Sequence, residues 1–283
     1  MTRTAQLVLG AGLFLCGVLA GVYVQHRWPV GRWGKEIAPT LAAPAADPGQ
    51  IARLPSNRRL VLLLAGQSNA ANYGSVLADA GPGVYAWHDG KLLPARDPLP
   101  GADQHRGSPW TRLAAMLMLT KRYDAVVLVA IAQGGTYAAD WAPGGSWHGR
   151  LQQTLRDLQQ AELPPDFILW QQGESEGGTP GAAGQDYLTT MTALLESTRS
   201  LAPHARWVIA RATYSDHHLG NAQIREAQRL AASLPGAHPG PDLDILDGPY
   251  RSDGVHFNGR GLDAAAALWR DSLDPLLVER TAP

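Results

Sequence analysis

The stretch VLLLAGQSNAA, residues 61–71, decides the fold and points to the chemistry. Residues 61–64 form an unbroken apolar run, which is typical of a strand buried on both faces of a parallel sheet. Gly66 permits the sharp turn that ends this run. A serine on such a turn, here Ser68, can present its hydroxyl to a crevice, although Ala70 replaces the last glycine of the nucleophile-elbow pattern G-x-S-x-G. The serine could equally cap the next helix, so the motif needs support from elsewhere in the chain.

Length and composition describe an ordinary globular protein. The chain has 283 residues, of which 45% are hydrophobic and 17% are charged, so it can bury one sizeable core or two small ones. Its formal net charge of -1 gives no general attraction to nucleic acid or acidic membranes, and we expect no nucleic-acid partner. The single cysteine, Cys16, excludes an intramolecular disulfide and a cysteine-cluster metal site.

The amino terminus carries a nearly apolar segment, residues 5–24, after a short head at residues 1–4. This segment is long enough to cross a bilayer as one helix, and its glycines are common in membrane helices. Because no clean A-x-A cleavage site follows it, we expect an uncleaved signal anchor that is the only membrane contact, with secretion after cleavage as the alternative. A linker rich in Pro, Ala and Gly at residues 25–57 would then tether a domain at residues 58–283.

The orientation of this anchor follows from two arguments that conflict. Positive charges after the segment outnumber Arg3 before it, so the positive-inside rule read strictly places the domain in the cytoplasm. A lone amino-terminal span with a short head, however, usually serves as an export signal. We therefore expect the domain outside the cytoplasm.

Beyond the linker, strand-like and helix-like patterns alternate, with a small hairpin at residues 84–94. Apolar strands are expected at residues 59–65, 124–132, 166–171, 206–212 and 243–246. Helices are expected at residues 110–122, 149–160, 185–200, 221–233 and 261–273. This alternation predicts a three-layer α/β/α sandwich around a five-stranded parallel sheet. The ligand crevice of such a fold lies at the carboxyl ends of the strands.

Four of the strand ends lead into polar or glycine-rich loops. They read GQSN at residues 66–69, GGT at 134–136, QGES at 172–175 and DGVH at 253–256. Because the carboxyl ends of parallel strands meet at one edge of the sheet, we expect the four loops to converge there. The sequence therefore predicts a functional site at this edge.

The four loops contain the groups that serine-esterase chemistry requires. His256 is the candidate base that takes the proton of the Ser68 hydroxyl. Asp253, three residues earlier, is close enough in a tight loop to hold the Nδ1 of that histidine. The oxyanion of the intermediate also needs hydrogen-bond donors. The candidates are the backbone N–H of Ser68, a backbone N–H of Gly134 or Gly135, and the side-chain amide of Gln172.

Each of these features also has a purely structural explanation. The two glycines can form only a tight turn, and residues 253–256 can form only a turn before the last helix. Glu174 and Glu176 could form a carboxylate pair for glycoside cleavage, but their positions in sequence say nothing about the separation of the carboxyl groups. His217 and His218 have no third histidine nearby, so we expect no metal site.

Taken together, the four motifs, with Trp141 downstream of the second, resemble the sialate O-acetylesterase domain. That family belongs with the carbohydrate acetylesterases of the SGNH-hydrolase superfamily, also called GDSL hydrolases. The resemblance spans roughly residues 60–273, with the motifs in the family's order at strand ends. It implies the flavodoxin-like SGNH-hydrolase fold, and Ser68 as a nucleophile whose triad is completed by His256 and Asp253.

Residues beside the motifs are expected to support the site. The resemblance implies that Ser68, Gly134 or Gly135, and Gln172 form the oxyanion hole. We expect Gln67, Asn69 and Glu174 to lie behind the reacting groups, with Glu174 orienting the oxyanion donors. Thr136 and Trp141 are candidates for contact with the substrate, although tryptophans are more often packing residues.

The sequence therefore predicts that the chain removes acetyl groups from a carbohydrate through an acetyl-enzyme on Ser68, without metal or organic cofactor. Gln171 stands where many relatives have histidine, and the loop at residues 137–147 does not match the family pattern, so the sugar stays open. An acyltransferase or a general short-chain esterase would use the same nucleophile and base. An inactive carbohydrate-binding module is the alternative from another class, but it would not need Ser68, Asp253 and His256 intact.

Overall fold

A single mixed sheet forms the centre of the domain. The computed structural model describes residues 47–179, 183–215 and 220–281. Its strands are β1 (Arg59–Gly66), β2 (Val84–His88), β3 (Lys91–Pro94), β4 (Ala125–Ala130), β5 (Phe167–Gln171), β6 (Arg206–Arg211) and β7 (Ala237–Asp242). They are arranged in the order β3-β2-β4-β1-β5-β6-β7, and every neighbouring pair is parallel except β2 with β3.

Helices follow most of the strands and cover both faces of the sheet. They are α1 (Pro48–Ala52), α2 (Pro109–Leu119), α3 (Ala138–Trp141), α4 (His148–Gln160), α5 (Glu174–Gly177), α6 (Gly184–Thr198), α7 (Ala222–Ala231) and α8 (Gly259–Thr281). The start of α2 shows why the sequence begins a helix there. The hydroxyl of Ser108 accepts a hydrogen bond from the N–H of Trp110, and Pro109 occupies the first turn.

The core lies in two layers that the alternation of β1 separates. Side chains at even positions of this strand pack with α2 and α8, where Trp110 and Trp269 are fully buried. Side chains at odd positions pack with α4, α6 and α7, where Leu151, Met191 and Ile224 are fully buried. Successive side chains of a strand point to opposite faces, so an unbroken apolar strand must be covered on both sides. The predicted three-layer α/β/α sandwich is confirmed.

The prediction of five strands was wrong in number and in the place of the last strand. The hairpin predicted at residues 84–94 forms and joins the sheet as β2 and β3, which gives seven strands in the described residues. The last strand is β7, sequence AHPGPD, and residues 243–246 form a turn after it. Proline and glycine are depleted in strands, so the sequence of β7 did not predict a strand. An edge strand tolerates them because one side of it needs no partner.

The predicted membrane anchor at residues 5–24 lies outside the described residues, together with the head and most of the predicted linker. In the described part of that linker, α1 forms and Ile51 packs on the core. None of the helices in the described ranges is long and apolar enough to cross a membrane.

Candidate active site

Ser68 lies at the carboxyl end of β1, between the ends of β4 and β5. Gly66 has φ +132°, and a Cβ on it would lie 2.0 Å from the carbonyl oxygen of Gln171. Only glycine therefore allows the two strands to approach this closely before the turn. Ser68 then opens the 3-10 turn Ser68–Ala70 and is 5% exposed. Its backbone N–H donates to no residue in the described part of the chain, so it is free to bind a ligand.

The Asp253–His256 loop forms the geometry that its three-residue spacing predicts. The Nδ1 of His256 lies 2.8 Å from Oδ2 of Asp253. The other carboxylate oxygen accepts the backbone N–H of His256 at 2.7 Å and that of Val255 at 3.1 Å. Burial alone would raise the pKa of Asp253, but these hydrogen bonds outweigh it and lower the pKa to about 2. The carboxylate is therefore ionised at neutral pH and can orient the imidazole.

Asn69 joins the serine turn to the histidine loop. Its Nδ2 donates to the carbonyl oxygen of Val255 at 3.1 Å, and its Oδ1 accepts the N–H of Phe257 at 3.3 Å. The residue after Ser68 thus holds the peptide on both sides of His256. Among the described residues the Ser68 hydroxyl has no hydrogen bond to the imidazole. In enzymes without substrate such bonds are often long and close only in the complex.

Glu174 lies beneath Asn69. Its Oε1 accepts a hydrogen bond from Nδ2 of Asn69 at 2.9 Å, and its Oε2 is buried with no partner among the described residues. Burial raises the pKa of this carboxyl to about 7, although the bond from Asn69 and the charge of Arg251 oppose the rise. Glu174 therefore supports the residue that holds the histidine loop, rather than the oxyanion donors as we expected.

Arg251 fixes the other side of the same loop. It is 7% exposed, and its guanidinium donates to the carbonyl oxygens of Val255 at 2.7 Å, Leu246 at 2.6 Å and Leu243 at 3.1 Å. A planar guanidinium with several donors is suited to joining separate carbonyl groups. The turn at residues 243–246 and the histidine loop are thereby held as one unit.

Gln172 is fully buried in a polar network behind Ser68. Its Nε2 donates to Oε1 of Gln67 at 3.2 Å, to the carbonyl oxygen of Thr136 at 3.1 Å and to the carboxylate of Glu176. Three acceptors surround an amide group that has two hydrogens, so Gln172 does not present a free donor to an oxyanion in this structure. Glu176, rather than Glu174, is the carboxylate that orients Gln172.

Gln67 and Glu176 connect this network to neighbouring backbone. Oε1 of Gln67 also accepts the N–H groups of Gly173 at 3.1 Å and Ser175 at 3.2 Å. Glu176 accepts the N–H of Ala138 at 2.6 Å, at the start of α3, and burial raises its pKa. The loops after β1, β4 and β5 are therefore locked together by buried hydrogen bonds, as a supporting role for Gln67 requires.

The two candidate glycines differ in what their N–H groups meet. The N–H of Gly134 donates to Oδ2 of Asp103 at 3.3 Å. The N–H of Gly135, a residue with φ +72°, has no partner among the described residues. A Cβ on Gly134 would lie 2.0 Å from the hydroxyl oxygen of Tyr73, so the loop passes close to the ring of Tyr73. Gly135 therefore offers a free donor, whereas Gly134 would have to leave Asp103.

Trp141 is part of the core and not of a substrate surface. It is fully buried, and its ring lies 5.8 Å from that of Trp147 and 5.8 Å from that of Trp170. Its Nε1 donates to Oγ1 of Thr136 at 3.0 Å. Thr136 is 6% exposed and contributes its hydroxyl to Trp141 and its carbonyl to Gln172. The expectation that Trp141 contacts substrate was wrong, because close packing of three indole rings leaves no face for a sugar.

Sequence reasoning missed Tyr73, Asp103 and Arg251. The ring of Tyr73 stacks on the imidazole of His256, with centroids 4.7 Å apart and an angle of 25° between the planes. Its hydroxyl donates to Asp103 at 2.6 Å. Tyr73 follows the GQSN motif closely enough to have been suspected, but Asp103 lies in a loop that carries no motif.

In the part of the chain that the structure describes, no group of three or more His, Cys, Asp or Glu side chains is arranged to hold a metal ion. His217 and His218 lie outside the described residues.

The chain matches the model of a known protein family over most of its length. A family model for carbohydrate esterases, described as sialic acid-specific acetylesterase, matches residues 58–264, which include all four motifs. The search of curated proteins found no match.

Solved structures share the fold at low sequence identity. A protein from Arabidopsis thaliana has a TM-score of 0.63 at 19% identity, covering 80% of this chain and 100% of its own. A carbohydrate acetylesterase from Xanthomonas citri has a TM-score of 0.51 at 18% identity, covering 78% of this chain and 57% of its own. For a putative GDSL-like lipase from Parabacteroides merdae the TM-score is 0.50 at 15% identity, with coverages of 75% and 94%. At these identities the likeness shows the fold alone.

Proposed function

Because the chain belongs to the carbohydrate esterase family of sialic acid-specific acetylesterases, we propose that it releases acetate from an O-acetylated carbohydrate through an acetyl-enzyme on Ser68. Membership of the family makes it a carboxylic ester hydrolase for carbohydrate acetyl groups, and the proposal adds the residues. The observation that carries it is the position of Asn69, which follows Ser68 and bonds the peptide on both sides of His256. A nucleophile and a base from distant parts of the chain are thereby neighbours.

In the first half of the reaction, His256 acts as general base. Its Nε2 takes the proton of Ser68 as the serine oxygen attacks the acetyl carbonyl, while Nδ1 keeps its proton in the bond to Asp253. The tetrahedral intermediate then collapses and breaks the bond between the carbonyl carbon and the sugar oxygen. His256 returns the proton to that oxygen, which leaves as a hydroxyl of the sugar.

In the second half, water replaces the sugar. His256 takes a proton from the water as its oxygen attacks the acetyl carbon, and a second tetrahedral intermediate forms. Its collapse breaks the bond to Ser68, and the serine recovers the proton from the imidazole. Acetic acid is released with the second proton of the water and ionises to acetate in solution, and the histidine and serine return to their starting states.

The oxyanion of both intermediates requires donors that are not already bound. The free N–H groups of Ser68 and Gly135 meet this requirement and, being backbone groups, need little reorganisation during the reaction. The N–H of Gly134 could join them only by leaving Asp103, a bond that is long at 3.3 Å and therefore weak. We place Gln172 behind these donors, where it holds Thr136 and Gln67.

The test is release of acetate by the full chain, using p-nitrophenyl acetate and a panel that contains an O-acetylated sialic acid and O-acetylated neutral sugars. Ser68→Ala runs in parallel, and circular dichroism checks that it is folded. We expect hydrolysis that disappears in the variant, with the panel ranking the sugars. Activity that survives in Ser68→Ala, or a folded parent that releases no acetate from any ester, would overturn the proposal.

A further inference from the structure

Tyr73 covers one face of the imidazole of His256. The rings are nearly parallel, at 25°, with centroids 4.7 Å apart. The backbone on either side of the tyrosine is fixed. The side-chain amide of Asn72 donates to Leu99 at 2.9 Å, and Gly74 exchanges two backbone hydrogen bonds with Gly107 at 2.8 and 2.9 Å. The stacking surface is therefore held in place independently of the histidine.

Asp103 holds the far end of the tyrosine. Its Oδ2 accepts the hydroxyl of Tyr73 at 2.6 Å, Nε2 of Gln133 at 3.0 Å and the N–H of Gly134 at 3.3 Å. Its backbone N–H donates to the carbonyl oxygen of Ala132, just after β4, and its carbonyl oxygen accepts the N–H of Asn72. One carboxylate oxygen thus connects the ring that covers His256 to the loop that follows β4.

We propose that Tyr73 and Asp103 are positioning residues for the hydrolysis, which fix the plane of the His256 ring and stabilise its cationic form during proton transfer. The inference rests on the proposed function, because it requires His256 to be the base. A cation over the face of an aromatic ring is attracted by the ring's quadrupole. A phenol that donates to a carboxylate carries more electron density, which strengthens this attraction. The neutral imidazole gains less, so the benefit falls mainly on the transition state.

Asp253 and Tyr73 contact the imidazole of His256 from two different directions. Asp253 contacts the edge of the ring through Nδ1 and sets its tautomer, whereas Tyr73 covers a face and limits its tilt. Around the loop, within the described residues, Asp103 lies behind the tyrosine and Glu174 and Arg251 lie beneath the loop, with Asp244, Asp247 and Tyr214 near Arg251. No hydrogen bond or ring contact joins these groups to the imidazole in the described part of the chain, so a substitution at Tyr73 changes the stacking contact and leaves the bond to Asp253 in place.

The experiment compares Tyr73→Leu, Tyr73→Phe and Asp103→Asn with the parent, measuring kcat, KM and the pH profile of kcat/KM on p-nitrophenyl acetate. We expect Tyr73→Leu to lower kcat about tenfold with KM within about twofold, since the contact acts mainly in the transition state. The acid limb of the profile should move down by about half a pH unit, because the cation loses its stacking partner. Tyr73→Phe keeps the ring and should recover most of the acid limb, while Asp103→Asn should resemble a weaker Tyr73→Leu.

Controls separate this inference from the proposed function and from loss of fold. Tyr85→Leu removes a half-buried tyrosine of β2 and should leave kcat and the acid limb unchanged. If Ser68→Ala is inactive but Tyr73→Leu keeps the parent's kcat or its acid limb, only the inference is overturned. If Ser68→Ala is active, both are overturned. Should Tyr73→Leu fail to fold, Tyr73→Phe and Asp103→Asn decide, and parental kcat in both would overturn the inference.

Discussion

The loop that carries His256 and the loop that follows β5 both meet the Ser68 turn, and they differ in what their side chains have left to bind. In the histidine loop the side chains of His256 and Asp253 are 21% and 49% exposed, and they bond mainly to each other. After β5, Gln172 is fully buried, and the donors of its amide are taken by three acceptors. The first loop leaves the two proposed catalytic groups partly exposed, and the second joins three strand ends through buried hydrogen bonds.

Under the proposed function, polar residues at one sheet edge therefore divide into exposed groups that react and buried groups that support them. The amide hydrogens of Gln172 are taken by buried acceptors, so they rigidify the structure and have nothing to donate to a ligand. A reactive group needs the opposite, namely an open side and a few fixed contacts. The predictions below test this division, beginning with the largest effect.

Replacing His256 should have the largest effect on activity. Without the base, Ser68 keeps its proton, and we expect kcat of His256→Ala to fall by about 10⁴-fold while the fold is unaffected. Acetate release measures the change. His204→Ala, an exposed histidine before β6, is the matched control and should retain full activity. A loss smaller than tenfold in His256→Ala would end the assignment of His256 as base.

Removing the charge of Glu174 should change the pH dependence of stability. The native state raises the pKa of this carboxyl from its ordinary 4.5 to about 7 because it is buried. Between these values the unfolded chain loses the proton first, so the free energy of unfolding falls as pH rises through this window. The fall amounts to about 3 kcal/mol for a shift of this size, and Glu174→Gln should abolish it.

Chemical denaturation at pH 5 and pH 8 measures this dependence. Other carboxyl groups contribute equally to parent and variant, so the difference between the two proteins isolates Glu174. Glu162→Gln, at an exposed position, should behave as the parent does. An equal fall in Glu174→Gln and the parent would show that the carboxyl is not held in the native state as described.

Cutting the link between serine and histidine should have a smaller effect on activity. Asn69→Ala removes hydrogen bonds to Val255, Phe257 and Glu174, so the histidine loop loses its registration on the serine turn. We expect kcat to fall by about 30-fold and the free energy of unfolding by about 2 kcal/mol. Asn221→Ala removes the cap of α7, which also makes backbone hydrogen bonds, and should lower stability alone. If Asn69→Ala loses no more kcat than that control, the link is only structural.

Trp141 tests the supporting side of the comparison. Trp141→Phe leaves a gap among the three indoles and removes the bond to Thr136, so we expect the free energy of unfolding to fall by about 2 kcal/mol. KM for acetylated sugars should stay within about twofold, because a fully buried ring makes no contact with substrate. A large rise in KM without loss of stability would return Trp141 to the substrate surface.

The overall fold and the local geometry of the site could be predicted from the sequence. Apolar runs followed by polar loops identified the parallel strands. The spacing of Asp253 and His256 alone predicted their contact, because two side chains three residues apart in a tight turn have few alternative arrangements. The strand β7 was not predicted, because prolines are taken as strand-ending residues in a sequence, whereas an edge strand tolerates them.

The remaining errors concern burial and competition between partners. Gln172 and Trp141 have the residue types expected of a donor and a sugar platform, but packing against Glu176 and Trp170 decides what they face. Asp103 lies in a loop without a motif, and only the fold brings it to Tyr73. Which of several acceptors takes an amide hydrogen depends on distances between side chains far apart in sequence, and no local pattern contains that information.

The other predictions on activity depend on the proposal that Ser68 is the nucleophile and that His256 activates it. The most direct measurement treats the folded full chain with a fluorophosphonate and locates the adduct by peptide mass mapping. We predict one adduct per chain on the peptide that contains Ser68, matched by loss of acetate release, and labelling that is much slower in His256→Ala. An adduct on a different residue, or full activity after Ser68 has been modified, would contradict it.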